Sequence, residues 1–174
     1  MAGKLVQVAT ETVSSAVATV AFDQITTDNV YVIYMNNVQC AQNNIDMRIQ
    51  LKDGATNLNT GYYRASRDLR SDSASNQNRV ANGSRLDINA ASGNAVYRTH
   101  QGIFYLYNFN NSSEYPYVLF QTNYQTYTDV MIGQQGGFFV INDGAIDGIE
   151  FYWEGGNNFK TGSQFTLYKL VWYE

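Results

Sequence analysis

Apolar and polar residues alternate along most of this chain, with the period of a β-strand. The alternation is clearest at residues 162–173, where Phe165 and Leu167 share one face and Tyr168 and Trp172 share the other. Both faces of this segment are largely apolar. We therefore predict a strand that has neighbours on both sides within its sheet.

A second segment of this kind covers residues 146–153. Residues 154–158 separate the two segments and consist of Glu, Gly and Asn, which are typical of a chain reversal. The sequence therefore predicts that the two segments pair as a long hairpin.

The same alternation recurs upstream, and Gly, Asn and Asp separate the segments at intervals of about ten residues. We predict further strands at about 4–10, 17–22, 30–35, 45–51, 102–109, 115–124, 127–132 and 137–141, with the glycine-rich residues 133–137 between the last two. With about ten strands and no long helix, the chain is expected to fold as an all-β protein. The predicted architecture is a single-domain antiparallel β-sandwich of jelly-roll type over residues 1–174.

Residues from about 55 to 95 differ, because Asn, Ser, Asp, Arg and Gly predominate there. The sequence predicts a long polar excursion with short pieces of strand, which folds over the domain or reaches a neighbouring subunit. Within it, Arg64, Arg67 and Arg70 have a helix-like spacing around Leu69. They are interpreted either as a solvated turn of helix or as a contact with another subunit or a scaffold.

The composition narrows the choice of partners. Charged residues make up 15% of the chain, against a usual value of about 25%, and there are 14 Tyr. Tyr suits surfaces that are half buried in contacts with a partner. The net charge of −4 argues against nucleic acid or an anionic membrane as a partner. No apolar run approaches the roughly 20 residues that span a bilayer, so we expect a soluble protein made in a cytoplasm.

Candidate chemistry is sparse in the sequence. His100 is the only histidine and Cys40 the only cysteine, so neither a multi-histidine metal site nor an internal disulfide is expected. Cys40 is predicted to be a small buried apolar residue. The glycine-rich residues 133–137 lack the Lys and Ser/Thr that follow a phosphate-binding loop. We therefore expect no cofactor, no metal and no enzymatic activity.

Four acidic residues towards the end of the chain have two interpretations. They are Asp143, Asp147, Glu150 and Glu154. A pair of carboxylates at suitable spacing could hydrolyse a glycosidic bond, and Asp-Gly turns could hold calcium. The simpler interpretation, which we favour, is that the two Asp residues belong to turns and the two Glu residues face solvent.

Four tyrosines form a candidate contact surface between residues 115 and 127. They are Tyr115, Tyr117, Tyr124 and Tyr127, interleaved with Gln121, Asn123 and Gln125. Aromatic faces stack on sugar rings and amides bind hydroxyl groups, so these residues could line a glycan platform. The same residue types serve packed, partly polar protein interfaces, and we favour an interface or core role.

Several segments, in this order along the chain, resemble small β-sandwich structural proteins of tailed bacteriophages, particularly phages of aquatic bacteria. The segments are residues 5–15 with 17–22, residues 25–34, residues 105–109, residues 145–151 and residues 162–168. The resemblance covers most of the chain, although residues 55–95 have no counterpart. It implies a virion component without enzymatic activity, either a capsid decoration (cement) protein or part of a tail appendage.

Two physical features favour decoration over a tail fibre. The chain has no heptads or repeats that would build a fibre shaft, and it is poor in charge and rich in Tyr and Asn. We expect a trimer at local threefold positions of the capsid exterior, made in the host cytoplasm, with the major capsid protein as partner. The alternative is a tail-tip module that binds a host-surface glycan through the tyrosines of residues 115–127.

Overall fold

The computed structural model describes residues 3–142 and 144–172. Within them the chain forms thirteen strands and one 3-10 turn at Glu154–Gly156. The strands are β1 (Gly3–Thr12), β2 (Thr19–Phe22), β3 (Tyr31–Val38), β4 (Ile45–Asp53), β5 (Thr56–Asn57), β6 (Tyr62–Arg70), β7 (Asn76–Gly83), β8 (Leu86–Ser92), β9 (His100–Tyr107), β10 (Tyr117–Gln125), β11 (Met131–Val140), β12 (Gly148–Trp153) and β13 (Gln164–Trp172). In the described part of the chain, no helix has the length and apolar character needed to cross a membrane.

The strands form two antiparallel sheets that pack face to face. The large sheet has eight strands in the order β1-β13-β3-β9-β10-β11-β6-β7. The small sheet has five strands, with β2-β12-β4-β5 as its main path and β8 paired to β4. The predicted all-β sandwich is therefore confirmed.

The strand order is that of a jelly roll with two insertions. Strands β1-β13-β3-β9 of the large sheet lie over β2-β12-β4-β8 of the small sheet, which is the arrangement produced by two interlocked Greek keys. Strands β5 to β7 are inserted between β4 and β8, and strands β10 and β11 between β9 and β12. Together the insertions add β10-β11-β6-β7 to one side of the large sheet. We call these four strands the extension.

A continuous line of aromatic contacts joins the two sheets. Phe104 of β9 meets Phe151 of β12 with ring centroids 5.4 Å apart, and Phe151 meets Phe165 of β13 at 5.0 Å. Phe159 then contacts both Phe165 and Trp153 at 5.5 Å. All five side chains are fully buried. Burial of side chains of this size stabilises the fold by about 1.5–3 kcal/mol each, so this line is a principal source of cohesion between the sheets.

Cys40 belongs to this core, as predicted. Its side chain is fully buried, and its backbone forms an isolated bridge with Phe159. Burial raises the pKa of the thiol, which keeps it neutral at physiological pH.

The predicted hairpin between residues 146–153 and 162–173 is wrong. Strand β12 lies in the small sheet between β2 and β4, whereas β13 lies in the large sheet between β1 and β3. Ile149, Phe151 and Trp153 share one face of β12, and Phe165 and Leu167 share one face of β13. Placing the two strands in opposite sheets lets these buried side chains meet in the core. The final strand does have neighbours on both sides, as predicted, while Tyr173 lies outside the described residues.

Residues 55–95 are more regular than their composition indicates. Where the sequence predicted only short pieces of strand, β6 has nine residues and β7 has eight. The helical interpretation of Arg64, Arg67 and Arg70 is wrong, because all three lie in β6. Cross-strand partners in β11 and β7 satisfy the backbone of β6, and such partners leave no local signal in the sequence.

The glycine-rich residues 133–137 also differ from expectation. They do not separate two strands but form the middle of β11, which runs without interruption through Met131–Val140. A Cβ at Gly136 would lie 2.4 Å from the Ala65 carbonyl oxygen, so the missing side chain is what lets β6 approach β11.

Candidate functional site

The outer face of the large sheet carries an unusual density of aromatic side chains. Register and burial together place these residues on the face opposite the core: Tyr34, Tyr63, Tyr105, Tyr107, Tyr117, Phe139 and Tyr168. One cross-strand row of this face includes Tyr168, Val32, Tyr105 and Leu119 in directly paired positions. A face of this kind has the composition of a contact surface.

Two of the predicted tyrosines belong to an aromatic cluster on this face. Phe139 of β11 stacks on Tyr63 of β6, with centroids 5.2 Å apart and planes 7° apart. The Phe139 ring also contacts Tyr115, which stacks on it with centroids 6.2 Å apart, and Tyr117, whose centroid lies 5.4 Å away. Tyr115 and Tyr117 remain 41% and 45% exposed, so both are available to a partner. We call these four residues the aromatic cluster.

The other two predicted tyrosines lie elsewhere, so the four do not form one platform. Tyr124 is only 3% exposed and points to the core side of β10. Tyr117 and Tyr124 are separated by an odd number of positions in one strand, which places them on opposite faces. Tyr127 is 42% exposed in the turn after β10, where its amide donates to the Ala91 carbonyl. A surface role for Tyr124 is therefore excluded.

Tyr124 belongs instead to a buried polar group around His100. The Thr122 hydroxyl donates to Asn89 Oδ1 at 2.8 Å, and Asn89 Nδ2 lies 3.0 Å from His100 Nδ1. Since Asn89 Oδ1 accepts from Thr122, its amide nitrogen donates to an unprotonated Nδ1. Burial lowers the pKa of His100 to about 3, so the ring stays neutral. This arrangement holds β8, β9 and β10 together, and all four side chains are buried.

The three predicted arginines separate according to the alternation of β6. Arg64 is 8% exposed, and its guanidinium donates to the Asp87 carbonyl and, at 2.8 Å, to Ser66 Oγ. Burial lowers the pKa of Arg64. Arg70 is paired with Asp72 at 2.9 Å, and this hydrogen bond raises the Arg70 pKa. Arg67 alone points outward from the outer face.

Arg67 lines an open groove of about 1240 Å³ across β9, β10, β11, β6 and β7. The floor is formed by Leu119 and Ala65. Six larger outward-facing side chains rise from it: Tyr105, Gln121, Gln135, Arg67, Gln77 and Arg79. All six are exposed, and none makes a side-chain hydrogen bond or ion pair with another of the described residues. We call this feature the arginine groove.

The opposite edge of the large sheet has a different character. Among the described strands, β1 lies at the edge of the sheet next to β13, and every residue of β1 except Ala9 is exposed. Leu5 and Trp172 lie on the outer face and are 43% and 58% exposed, while Val6 on the inner face is 37% exposed. Both faces of this edge are therefore exposed, because the small sheet does not extend far enough to cover the inner face. We call β1 together with the end of β13 the overhang.

The acidic residues singled out in the sequence bind different partners and do not come together in one site. Asp147 accepts from the Gly54 amide at 2.9 Å, and Glu150 accepts from Asn57 at 3.0 Å. Glu154 pairs with Arg48 at 2.5 Å. Asp143 lies outside the described residues. Within residues 3–142 and 144–172, no three His, Cys, Asp or Glu side chains come together as a metal site would require.

No family model, curated protein or solved structure matches this chain. The β-sandwich is the part of the resemblance to phage virion proteins that the structure shows.

Sequence reasoning missed most of the arginine groove. Its side chains come from five strands, and Arg67 of β6 is paired with Gln135 of β11, which lies far away in sequence. One local signal was present, because Gln77 and Arg79 occupy alternate positions of a polar strand. The partner side chains across the sheet become apparent only from the register.

Proposed function

We propose that this chain is a non-enzymatic virion structural protein of a tailed bacteriophage, which binds the capsid exterior as a trimer and stabilises the head. The single observation that carries the proposal is the overhang. The assignment to a virion comes from the sequence resemblance, and the overhang supplies the contact surface that such a role requires.

Exposure of the overhang to water is unfavourable. A long edge strand with exposed apolar residues presents unpaired backbone groups as well as side chains, and solvated proteins normally blunt such edges. Here Leu5, Val6 and Trp172 are exposed together on two faces. A neighbouring copy or a capsid protein strand would pair with the edge of β1 and cover both faces at once.

Coverage of this kind suits a decoration protein. Two or three interfaces of about 1,000 Å² each would join several capsid subunits through many modest contacts. Contacts around a closed threefold axis would place one copy of the overhang against the next. The extension, at the other side of the large sheet, would then remain open to solvent.

Two measurements test the proposal. Light scattering after size exclusion gives the oligomeric state of the purified protein, and co-sedimentation with empty capsids of the encoding phage measures capsid binding. We expect a trimer that sediments with capsids and raises the temperature at which they open. A monomer that fails to sediment with capsids would overturn the proposal.

A second candidate is an adsorption module that binds host cells from the tail. The aromatic cluster and the arginine groove favour it, because both are exposed on one face. Binding to host cells together with indifference to capsids would select this candidate.

A further inference from the structure

We infer that the arginine groove is a binding site for an acidic oligosaccharide, with Arg67 and Arg79 taking the anionic groups and Tyr105 taking the face of a sugar ring. The inference names the ligand class and the residues of a site that the proposed capsid contact does not use. It holds wherever on the virion the protein sits.

Several basic side chains among the described residues are paired with carboxylates. Arg48, Lys52, Arg70 and Arg98 each have a carboxylate partner within 2.9 Å. Arg64 is buried and hydrogen-bonded. Arg67 and Arg79, in contrast, make no ion pair or side-chain hydrogen bond with any described residue. Among the described residues, no Asp or Glu lines the groove that contains them. The groove is thus a local positive site on a chain with a net charge of −4.

Arg67 and Arg79 lie close together on the outer face of the large sheet. Arg67 is paired with Gln77, and Ala65 is paired with Arg79, so the two arginines are diagonal neighbours across β6 and β7. Diagonal neighbours of this kind lie about 7 Å apart, within reach of one another's charge. Two like charges at this spacing repel each other unless an anion lies between them. Guanidinium groups bind carboxylates in a bidentate manner, which suits them to that anion.

The groove lining also contains amide side chains and an aromatic ring. Gln121, Gln135 and Gln77 present amide groups, each of which can both donate to and accept from hydroxyl groups. Tyr105, which is 37% exposed, offers an aromatic ring beside them. Planar amides next to an aromatic ring can bind the hydroxyl-rich edge and the apolar face of a sugar at the same time. The amides are free to do so because they have no partner among the described residues.

A glycan fits the groove better than an acidic peptide does. Strands β9, β10, β11 and β6 are hydrogen-bonded on both sides, so the floor has no free backbone groups for an extended peptide. Among the strands that line the groove, only β7 lies at the edge of the described sheet, so the floor and the other four strands recognise a ligand through side chains alone. Amide side chains aimed at hydroxyl groups match a carbohydrate.

The test uses calorimetry on the full chain with two acidic probes, tetragalacturonate and a hyaluronate tetrasaccharide. Methyl-esterified tetragalacturonate is the matched neutral probe, since it keeps the same sugars without the charge. We expect at least one acidic probe to bind, and the ester to bind at least about tenfold more weakly.

Variants assign the binding to the groove. The double variant Arg67→Gln with Arg79→Gln is expected to bind the acidic probe at least about tenfold more weakly than the unmodified chain. Tyr105→Ala is expected to bind it several-fold more weakly. Arg70→Gln is the control, because it makes the same kind of substitution in β6 on the opposite face of the sheet, outside the groove. It should bind like the unmodified chain. Capsid co-sedimentation of the double variant should be unchanged, which separates this inference from the proposed function.

Three results would overturn the inference. The first is that neither acidic probe binds. The second is that the ester binds as tightly as the acid, or the double variant as tightly as the unmodified chain. The third is that polyglutamate of similar length binds as tightly as the sugars, which would make the groove a site for acidic peptides.

Discussion

The ring of Tyr124 stacks on the imidazole of His100, with centroids 5.0 Å apart and planes 8° apart. The Tyr124 hydroxyl accepts a hydrogen bond from the Ala90 amide at 3.0 Å. Tyr124 and His100 belong to β10 and β9 of the large sheet, whereas Ala90 belongs to β8 of the small sheet. The stacked pair is therefore a polar link between the two sheets, beside the aromatic core.

We expect Tyr124→Ala to destabilise the protein by about 3–5 kcal/mol, because it removes a buried ring and leaves the Ala90 amide without a partner. Tyr117→Ala, which trims a half-exposed ring in the aromatic cluster, should cost about 1 kcal/mol or less. Urea unfolding followed by tryptophan fluorescence measures both. Equal losses for the two variants would show that Tyr124 is not an anchor of the core.

His100 should resist protonation. Its folded pKa is lowered to about 3, below the ordinary value of about 6.5, so between these values the unfolded chain binds a proton that the folded chain does not. In this pH range, the contribution of His100 to the free energy of unfolding therefore decreases by about 1.4 kcal/mol for each unit by which pH falls.

Because His100 is the only histidine, its imidazole proton signals are readily assigned by NMR. We expect them to keep their neutral shifts down to about pH 4 in the folded protein. A titration midpoint near the ordinary histidine value would contradict the buried, neutral ring.

Two glycines of β11 form a matched pair. A Cβ at Gly136 would lie 2.4 Å from both the Ala65 carbonyl oxygen and Ser66 Cβ, whereas one at Gly133 would come no closer than 3.9 Å to Leu69. Gly136→Ala should therefore push β6 away from β11, lower the thermal midpoint and loosen the arginine groove, while Gly133→Ala should be nearly neutral. Thermal unfolding by circular dichroism distinguishes them, and an unchanged Gly136→Ala variant would refute the close approach of the strands.

Arg64 and Arg67 test the alternation of β6. Arg64→Ala removes a buried side chain and leaves the Asp87 carbonyl without its guanidinium partner, so we expect a loss of about 2–3 kcal/mol in the free energy of unfolding. Arg67→Ala removes an exposed side chain and should change stability by about 0.5 kcal/mol or less. Chemical denaturation measures the difference. A larger loss for Arg67→Ala would contradict the assigned faces.

The overhang is tested by placing a charge on it. Leu5→Lys should leave the fold intact, because the side chain is 43% exposed, but it should dissociate the proposed trimer or prevent capsid binding. Val96→Lys is the control, since Val96 is 81% exposed in a loop away from β1. Size exclusion with light scattering reports the state of each variant. If Leu5→Lys and Val96→Lys assembled equally well, the overhang would not be part of the interface.

The sequence was sufficient to predict an all-β sandwich, because alternation is a local property and survives in segments such as residues 45–51 and 162–173. It also predicted the burial of Cys40, which follows from residue type. It did not predict that residues 133–137 continue a strand. Glycine interrupts the local pattern there, and the need for a small residue arises from β6, which packs alongside.

By itself, then, the sequence determined the class of fold, the strand periodicity and the low charge of the surface, since each depends on neighbouring residues or on totals. Only the tertiary structure decided which side chains share a site. The separation of Tyr124 from Tyr117 follows from strand alternation once the strand is known. The placement of Arg67 and Tyr105 in one groove depends on the pairing of β6 with β11, which is distant in sequence, because long-range register is fixed by burial of the whole sheet and not by any one segment.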